Sequence, residues 1–184
     1  MPSRREAAGR PDGPWPGAAT PRGTLTRTAA GGWRPREGSQ VTEIRALRAA
    51  DREQWEVLWQ GYLRFYRQRL APQITAATFA RLVDEQRAPH GLVAVRDGRL
   101  VGFVHYLFHS STWSQRELCY LEDLFVDPAT RGDGVGRALI EAVYAAADLA
   151  QAASVYWMTQ EFNADGRALY DTLARRTSFI RYER

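Results

Sequence analysis

The turn Arg131-Gly132-Asp133-Gly134-Val135-Gly136-Arg137 is built to meet an anion. It stands between a strand-like run and a helix-like run, so several backbone N–H groups gather at a helix N-terminus, where the dipole favours negative charge. Its glycines let the main chain approach phosphate oxygens with no Cβ in the way, and Arg131 and Arg137 add charge-assisted donors. A pyrophosphate suits such a site. The spacing Gly-x-Gly-x-Gly differs from the dinucleotide fingerprint Gly-x-Gly-x-x-Gly, and no Gly-Lys-Ser/Thr follows as in a P-loop; taken alone, the turn is equally a helix cap. Further along, Asn163 and Tyr170 are seven residues apart, two helical turns, and so share a face. His105 and His109 recur on one strand at a spacing open to a metal pair, but with no third ligand signalled their expected role is packing, or lining a pocket. Cys119 has no basic neighbour to activate it and reads as a strand residue rather than a nucleophile.

The elements that must position these residues are legible from periodicity. Glu43–Leu47 alternates as a short strand, and Asp51 with Gln54 forms a capping pair for a helix. Trp55, Leu58, Trp59, Tyr62, Phe65 and Tyr66 fall on one helical face, read first as core with some members free to wall a pocket. Thr75 caps a second helix with Phe79, Leu82 and Val83 inward. Gly91–Val95 and Leu100–Phe108 are strands joined by the hairpin signal Asp97-Gly98. A polar loop over Ser110–Arg116 leads to a strand at Leu118–Val126, which ends at Asp127-Pro128. After the glycine turn come a helix carrying Leu139, Val143 and Ala146, a strand at Ser154–Thr159, a helix at Asn163–Leu173 and a last strand at Phe179–Tyr182. The order β-α-α-β-β-β-α-β-α-β describes an α/β protein with an antiparallel meander and one βαβ crossover.

The chain of 184 residues suits one domain with an appendage. Residues 1–40 are rich in Gly, Pro, Arg, Ala and Thr without apolar periodicity, and read as a disordered tail. The abrupt change at Val41-Thr42-Glu43-Ile44 raises the expectation that Val41 is the native start, which N-terminal mass spectrometry of natively expressed protein decides. The tail also carries the net charge of +4: it holds seven arginines against three acids, leaving 18 basic and 18 acidic residues in 41–184. A nucleic-acid-binding stripe is therefore not implied. One cysteine makes no internal disulfide, and neither a signal-peptide core nor a membrane-length apolar run is present, so a cytoplasmic protein is expected.

Tyr120-Leu121-Glu122-Asp123-Leu124-Phe125-Val126-Asp127-Pro128 followed by Arg131-Gly132-x-Gly134-x-Gly136 closely resembles motif A of the GNAT acetyltransferases. Trp157-Met158-Thr159, Asn163 and Leu169-Tyr170 resemble motif B of that family. The resemblance covers roughly residues 42–182 and implies a GNAT fold: a mixed central sheet with an antiparallel meander and a βαβ acetyl-CoA-binding crossover, flanked by helices. It implies an acetyl-CoA-dependent N-acetyltransferase of about residues 41–184, with acetyl-CoA between the strands Leu118–Val126 and Ser154–Thr159. Arg131, Gly132, Gly134, Val135, Gly136 and Arg137 would hold the pyrophosphate. The main chain at Phe125 and Val126 would polarise the thioester carbonyl, and Asn163 would touch the pantetheine arm, cap its helix, or both.

Tyr170 matches the tyrosine that in many such enzymes protonates the departing thiolate; the alternative is a core aromatic beside Leu169 and Leu173. An amine must lose a proton before it attacks, and Glu122 is the candidate base, with a structural or substrate-orienting carboxylate as the alternative. Asp123 points to the opposite face if the strand is regular, and a bulge would change that. Glu161 is a weaker candidate. Asp133 departs from the family pattern by placing a carboxylate inside the phosphate loop, and Ser178 by replacing a glycine before the last strand. The run Leu-Glu-Asp-Leu-Phe-Val-Asp-Pro is most similar to the histone/polyamine (diamine) branch, which implies a small-molecule amine acceptor. Protein or peptide acetylation, and an acyl-CoA-binding module without catalysis, stay open beside it. No metal, nucleic acid or membrane partner is expected, and similar proteins are commonly homodimers.

Overall fold

One mixed sheet organises the chain. The computed structural model describes residues 41–184 other than residue 85, together with the backbone of two short paired strands, β1 (Leu25–Arg27) and β2 (Trp33–Pro35). The remainder of the expected tail, and the question of Val41 as the start, lie outside the described residues.

The order then runs β3 (Glu43–Ala46), α1 (Arg52–Phe65), α2 (Pro72–Leu82), β4 (His90–Arg96), β5 (Arg99–Ser111), β6 (Ser114–Val126), α3 (Val135–Leu149), β7 (Ser154–Trp157) and α4 (Ala164–Tyr170). The sheet order is β3-β4-β5-β6-β7. The first four strands form an antiparallel meander, and β7 pairs parallel to β6 after the α3 crossover. This is the expected α/β architecture. Asp97 and Gly98 turn with φ of 49° and 74°, the primed hairpin geometry whose twist matches the flanking strands.

Each face of the sheet buries its own cluster. Leu139, Ile140 and Val143 of α3 close over Val101, Val104, Tyr106, Cys119 and Leu121. Trp55, Leu58, Trp59 and Leu63 of α1, with Phe79 and Leu82 of α2, close over Val93, Phe103 and Phe125. Trp55 is fully buried and stacked on Trp59. No helix among the described residues is long and apolar enough to cross a membrane.

Several local expectations are corrected. Asp51 does not cap α1 with Gln54. Its carboxylate instead takes two hydrogen bonds from the Arg45 guanidinium, at 2.7 and 2.8 Å, and one from the Arg48 N–H at 2.8 Å, while the Gln54 side-chain carbonyl accepts the Leu100 N–H. Thr75 does not cap α2, which already begins at Pro72; the residue is buried and accepts the Trp59 indole N–H. Leu63, not Phe65, completes the buried face of α1. The polar loop after Ser110 is a tight hairpin, since β5 and β6 both extend to meet at the Ser111↔Ser114 pair. β7 ends at Trp157. The last strand is not formed: residues 179–182 alternate like a strand, but a strand needs a neighbour for its N–H and C=O groups, and Phe179, Ile180 and Tyr182 are exposed.

The Arg45–Asp51 pair tethers β3 to the start of α1 and yields a stability prediction. The Arg45 hydrogen bonds, and after them the Arg48 N–H, hold the Asp51 carboxyl below its ordinary 3.8 against the opposing pull of burial. Stability from such a group is present above the unfolded value and is lost as pH falls through the lowered folded one. Asp51→Ala should cost about 3 kcal/mol at neutral pH, because it strands a largely buried guanidinium. In urea melts the gap between variant and parent should close as pH falls below about 4. A pH-independent gap would mean that packing, not charge, is what the substitution removes.

Candidate active site

β6 and β7 pair from Leu118↔Ser154 to Leu121↔Trp157 and then part. Beyond Leu121, the β7-facing edge of β6 is left without a strand neighbour. Asp127 N–H returns to Val101 at 2.9 Å, on the β5 side. Because successive N–H groups alternate along a strand, the Val126 N–H faces the opening. The Phe125 side chain is committed to the core between α1 and the sheet, so only its main chain is available there.

A bulge decides which side chains border this opening. His105 pairs with Asp123 while Tyr106 pairs with Leu121, leaving Glu122 as the extra residue. Cys119 and Leu121 before it, and Leu124 and Val126 after it, all pack on the α3 side. Glu122 and Asp123, consecutive in sequence, therefore share the α1 face. Of the two cases the sequence left open for Asp123, the strand is the bulged one.

The two carboxylates live differently. Asp123 Oδ1 accepts the Tyr62 O–H at 2.5 Å, and Oδ2 lies 2.9 Å from His105 Nδ1. Glu122 forms no hydrogen bond or ion pair from its carboxylate among the described residues. Its carboxyl is raised above the ordinary 4.5, by desolvation first and then by the neighbouring Asp123, with His105 and Arg81 acting the other way. The side chain is nonetheless open to solvent, which screens part of this effect. Desolvation, not charge, is the leading cause.

Four tyrosines border the same region. Burial and Asp123 together push the Tyr62 phenol far up, so it remains a donor. Tyr66 is raised by burial and by Asp123, against a hydrogen bond with Thr159 that lowers it. Tyr120 is raised by burial, then by Glu122 and Asp123. Tyr170 stands edge-on to Trp157 with ring centroids 5.5 Å apart, and burial pushes its phenol up to about 12, with Tyr66 adding to the shift. Its hydroxyl forms no hydrogen bond among the described residues. Since no fully buried side-chain oxygen among the described residues lacks a partner, that hydroxyl opens to solvent.

The glycine turn lies at the start of α3. Gly132 and Gly134 have φ of 85° and 81°, a conformation other L-residues rarely adopt, and nothing lies within 4 Å of where a Cβ would stand on either. Gly134 is the N-cap and offers no side chain to α3, so the first N–H groups there, Val135, Gly136 and Arg137, have no side-chain cap. The arginines are placed beside this cradle rather than in it. Arg131 bonds the Val126 carbonyl at 3.3 Å and lies over the Phe125 ring, and Arg137 donates to Thr172 at 2.7 Å. The carboxylate of Asp133 is neutralised by Arg96 at 2.8 Å, which Thr42 also holds. Asn163 caps α4 through Gly166 N–H and donates to Thr159.

The remaining candidates do not converge. Cys119 is buried, and desolvation pushes its thiol up to about 11. His109 is bonded to the Tyr156 hydroxyl near the surface, far from the fully buried environment of His105, and the described residues hold no cluster of three metal-ligating side chains. Glu161 is exposed beyond β7. Sequence reasoning left Tyr62 and Tyr66 to core or pocket wall, His105 to packing or pocket lining, and Asp123 to the face a bulge would give it, without bringing them together at this opening. Their meeting is set by contacts between distant elements, Tyr62 and His105 both closing on Asp123.

Residues 44–174 match the model of the acetyltransferase (GNAT) family. The chain is 36% identical over 143 residues to the D-amino-acid N-acetyltransferase HPA3 of Saccharomyces cerevisiae, covering 77% of this chain and 89% of that protein. It is 35% identical over 77 residues to the thialysine N-epsilon-acetyltransferase of Sus scrofa, covering 42% of this chain and 45% of the relative. In fold it resembles the ribosomal-protein-alanine N-acetyltransferase of Brucella melitensis biovar Abortus, with a TM-score of 0.68 at 23% identity, covering 78% of this chain and 98% of that one.

Proposed function

This chain belongs to the acetyltransferase (GNAT) family and is an N-acetyltransferase, and we propose that it moves an acetyl group from acetyl-CoA to the primary amine of a small molecule. The observation that carries this reading is the opening where β6 and β7 part, bordered by Glu122 and Asp123 on one side and the unbonded Tyr170 hydroxyl on the other. Adjacent carboxylates favour a cationic acceptor. One similarity over most of the chain is to an enzyme named for D-amino acids, and a shorter one is to an enzyme named for a lysine analogue, both small amines.

Acetyl-CoA supplies an activated acetyl thioester. The N–H groups of the turn after Arg131 and at the uncapped start of α3 suit its pyrophosphate, because both positive-φ glycines leave the approach clear, while the Arg131 N–H is taken by the Pro128 carbonyl. The Val126 N–H is the donor for the thioester carbonyl. Glu122 takes the proton of the acceptor ammonium, directly or through water, which its raised basicity and free oxygens permit. Tyr170 donates to the leaving sulfur. Asn163, its Oδ1 engaged in capping α4 and its Nδ2 in donating to Thr159, orients the pantetheine arm through the position it gives α4.

CoA release from acetyl-CoA should be measured against a polyamine, amino acids of both hands and a lysine peptide. Amine-dependent release with small amines is expected. Preference for the peptide over every free amine would move the acceptor to proteins, and acetyl-CoA binding without release for any amine would make the chain a binding module.

A further inference from the structure

Beneath the two carboxylates runs a chain of side chains that the proposed reaction leaves unused: Trp55 of α1, His105 of β5, Asp123 of β6 and Tyr62 of α1. Trp55 Nε1 lies 3.1 Å from His105 Nε2, and His105 Nδ1 lies 2.9 Å from Asp123 Oδ2. An indole N–H only donates. His105 Nε2 must therefore accept, and a neutral imidazole then carries its proton on Nδ1, aimed at Asp123. A second proton on this ring would set two N–H groups against each other. The ring has nowhere to turn: it is 1% exposed and stacked on Phe103 at 4.5 Å, and Trp55 is 0% exposed.

Asp123 thus receives Nδ1–H on one oxygen and the Tyr62 O–H on the other. Both of its oxygens are engaged as acceptors. Glu122, one residue away on the same face, has its oxygens free. The neighbours differ in what they offer the acceptor: the oxygens of Asp123 are held by donors, and those of Glu122 are open. We propose that His105 is a positioning residue for the acceptor, locked as the Nδ1–H tautomer by Trp55 and holding Asp123 as the anion that meets the acceptor ammonium beside Glu122. This rests on the reading of Glu122 as the base for a small amine.

The test uses the full chain with an amine that the parent turns over, and compares His105→Leu, His105→Asn and Trp55→Phe. The Asn amide places an N–H close to where Nδ1–H stood, and Leu places none. His105→Leu should raise the amine KM by about tenfold or more while the acetyl-CoA KM holds, since a hydrogen bond to a charged group is lost. His105→Asn should recover most of that. Trp55→Phe should raise the amine KM by a smaller factor, because it frees the tautomer without removing the donor. An unchanged amine KM in His105→Leu, or equal impairment in the Leu and Asn variants alongside a lowered melting temperature, makes His105 a purely structural residue and overturns the proposal. Nitrogen NMR of the parent is independent of turnover: it should show the neutral ring with Nδ1 protonated and Nε2 bare, and an Nε2–H signal overturns the proposal. If the parent releases CoA with no amine at all, the small-amine reading fails on its own, and the NMR result still decides the tautomer lock.

Discussion

Tyr170→Phe should lower kcat by about 100-fold to 1,000-fold while leaving the melting temperature close to that of the parent, the span expected when a positioned acid is removed. The fold tolerates the change because the hydroxyl bonds nothing among the described residues, whereas the ring keeps its edge contact with Trp157. What is lost is the donor facing the opening. A thiol titrates near about 8.5, well below a phenol pushed up to about 12, so outright proton transfer from the resting phenol is uphill. The hydrogen bond therefore matters while the carbon–sulfur bond is breaking and charge grows on sulfur, an interaction stronger in the transition state than in the ground state. It follows that kcat should fall and the acetyl-CoA KM should not. It also follows that no alkaline limb from Tyr170 should appear below about pH 11, because burial keeps the phenol protonated throughout. Stopped-assay CoA release over pH checks both. An unchanged kcat would return Tyr170 to the role of a core aromatic beside Leu169 and Leu173.

The architecture was legible wherever one residue's chemistry fixes its own conformation. Asp97-Gly98 announces a hairpin, the apolar spacing of Leu139 and Val143 announces a buried helix, and the glycines at 132 and 134 announce a main chain open to close approach. What escaped depends on partners distant in sequence. Asp51 has the right type and place for a cap but is claimed by Arg45, and Thr75 is claimed by the Trp59 indole. Residues 179–182 have strand periodicity without a strand to join. The same distinction holds at the site. The turn that suits a pyrophosphate is local and was readable, and the doubt over Asp133 is answered by Arg96, 37 residues away. The face of Asp123 hangs on a one-residue bulge, set by the register of β5 against β6 and invisible in the alternation of β6 alone.

Glu122→Gln should separate function from stability in opposite directions. At neutral pH kcat/KM for the amine should fall by about 100-fold, since the ammonium loses its proton acceptor while the strand and the bulge keep their shape. The folded state meanwhile holds the Glu122 proton more tightly than the unfolded chain does, chiefly because the site desolvates the carboxylate. Raising pH from the ordinary 4.5 through the raised folded value therefore takes stability away, and the ionised side chain is a net cost above it. The glutamine variant should melt higher than the parent at neutral pH, and that gain should vanish below about pH 4. Solvent exposure keeps the gain small. The activity loss should shrink as pH climbs toward about 10, where the acceptor amine increasingly arrives without its proton and needs no base. A carboxylate that merely orients the acceptor predicts something else: a raised amine KM, an unchanged kcat, and a defect that grows no smaller in alkali. Asp123→Asn should show that second pattern, because its oxygens are occupied by Tyr62 and His105 and it serves as charge rather than as proton acceptor. Exchanged signatures for the two variants would exchange the roles of two adjacent carboxylates that the bulge sets side by side.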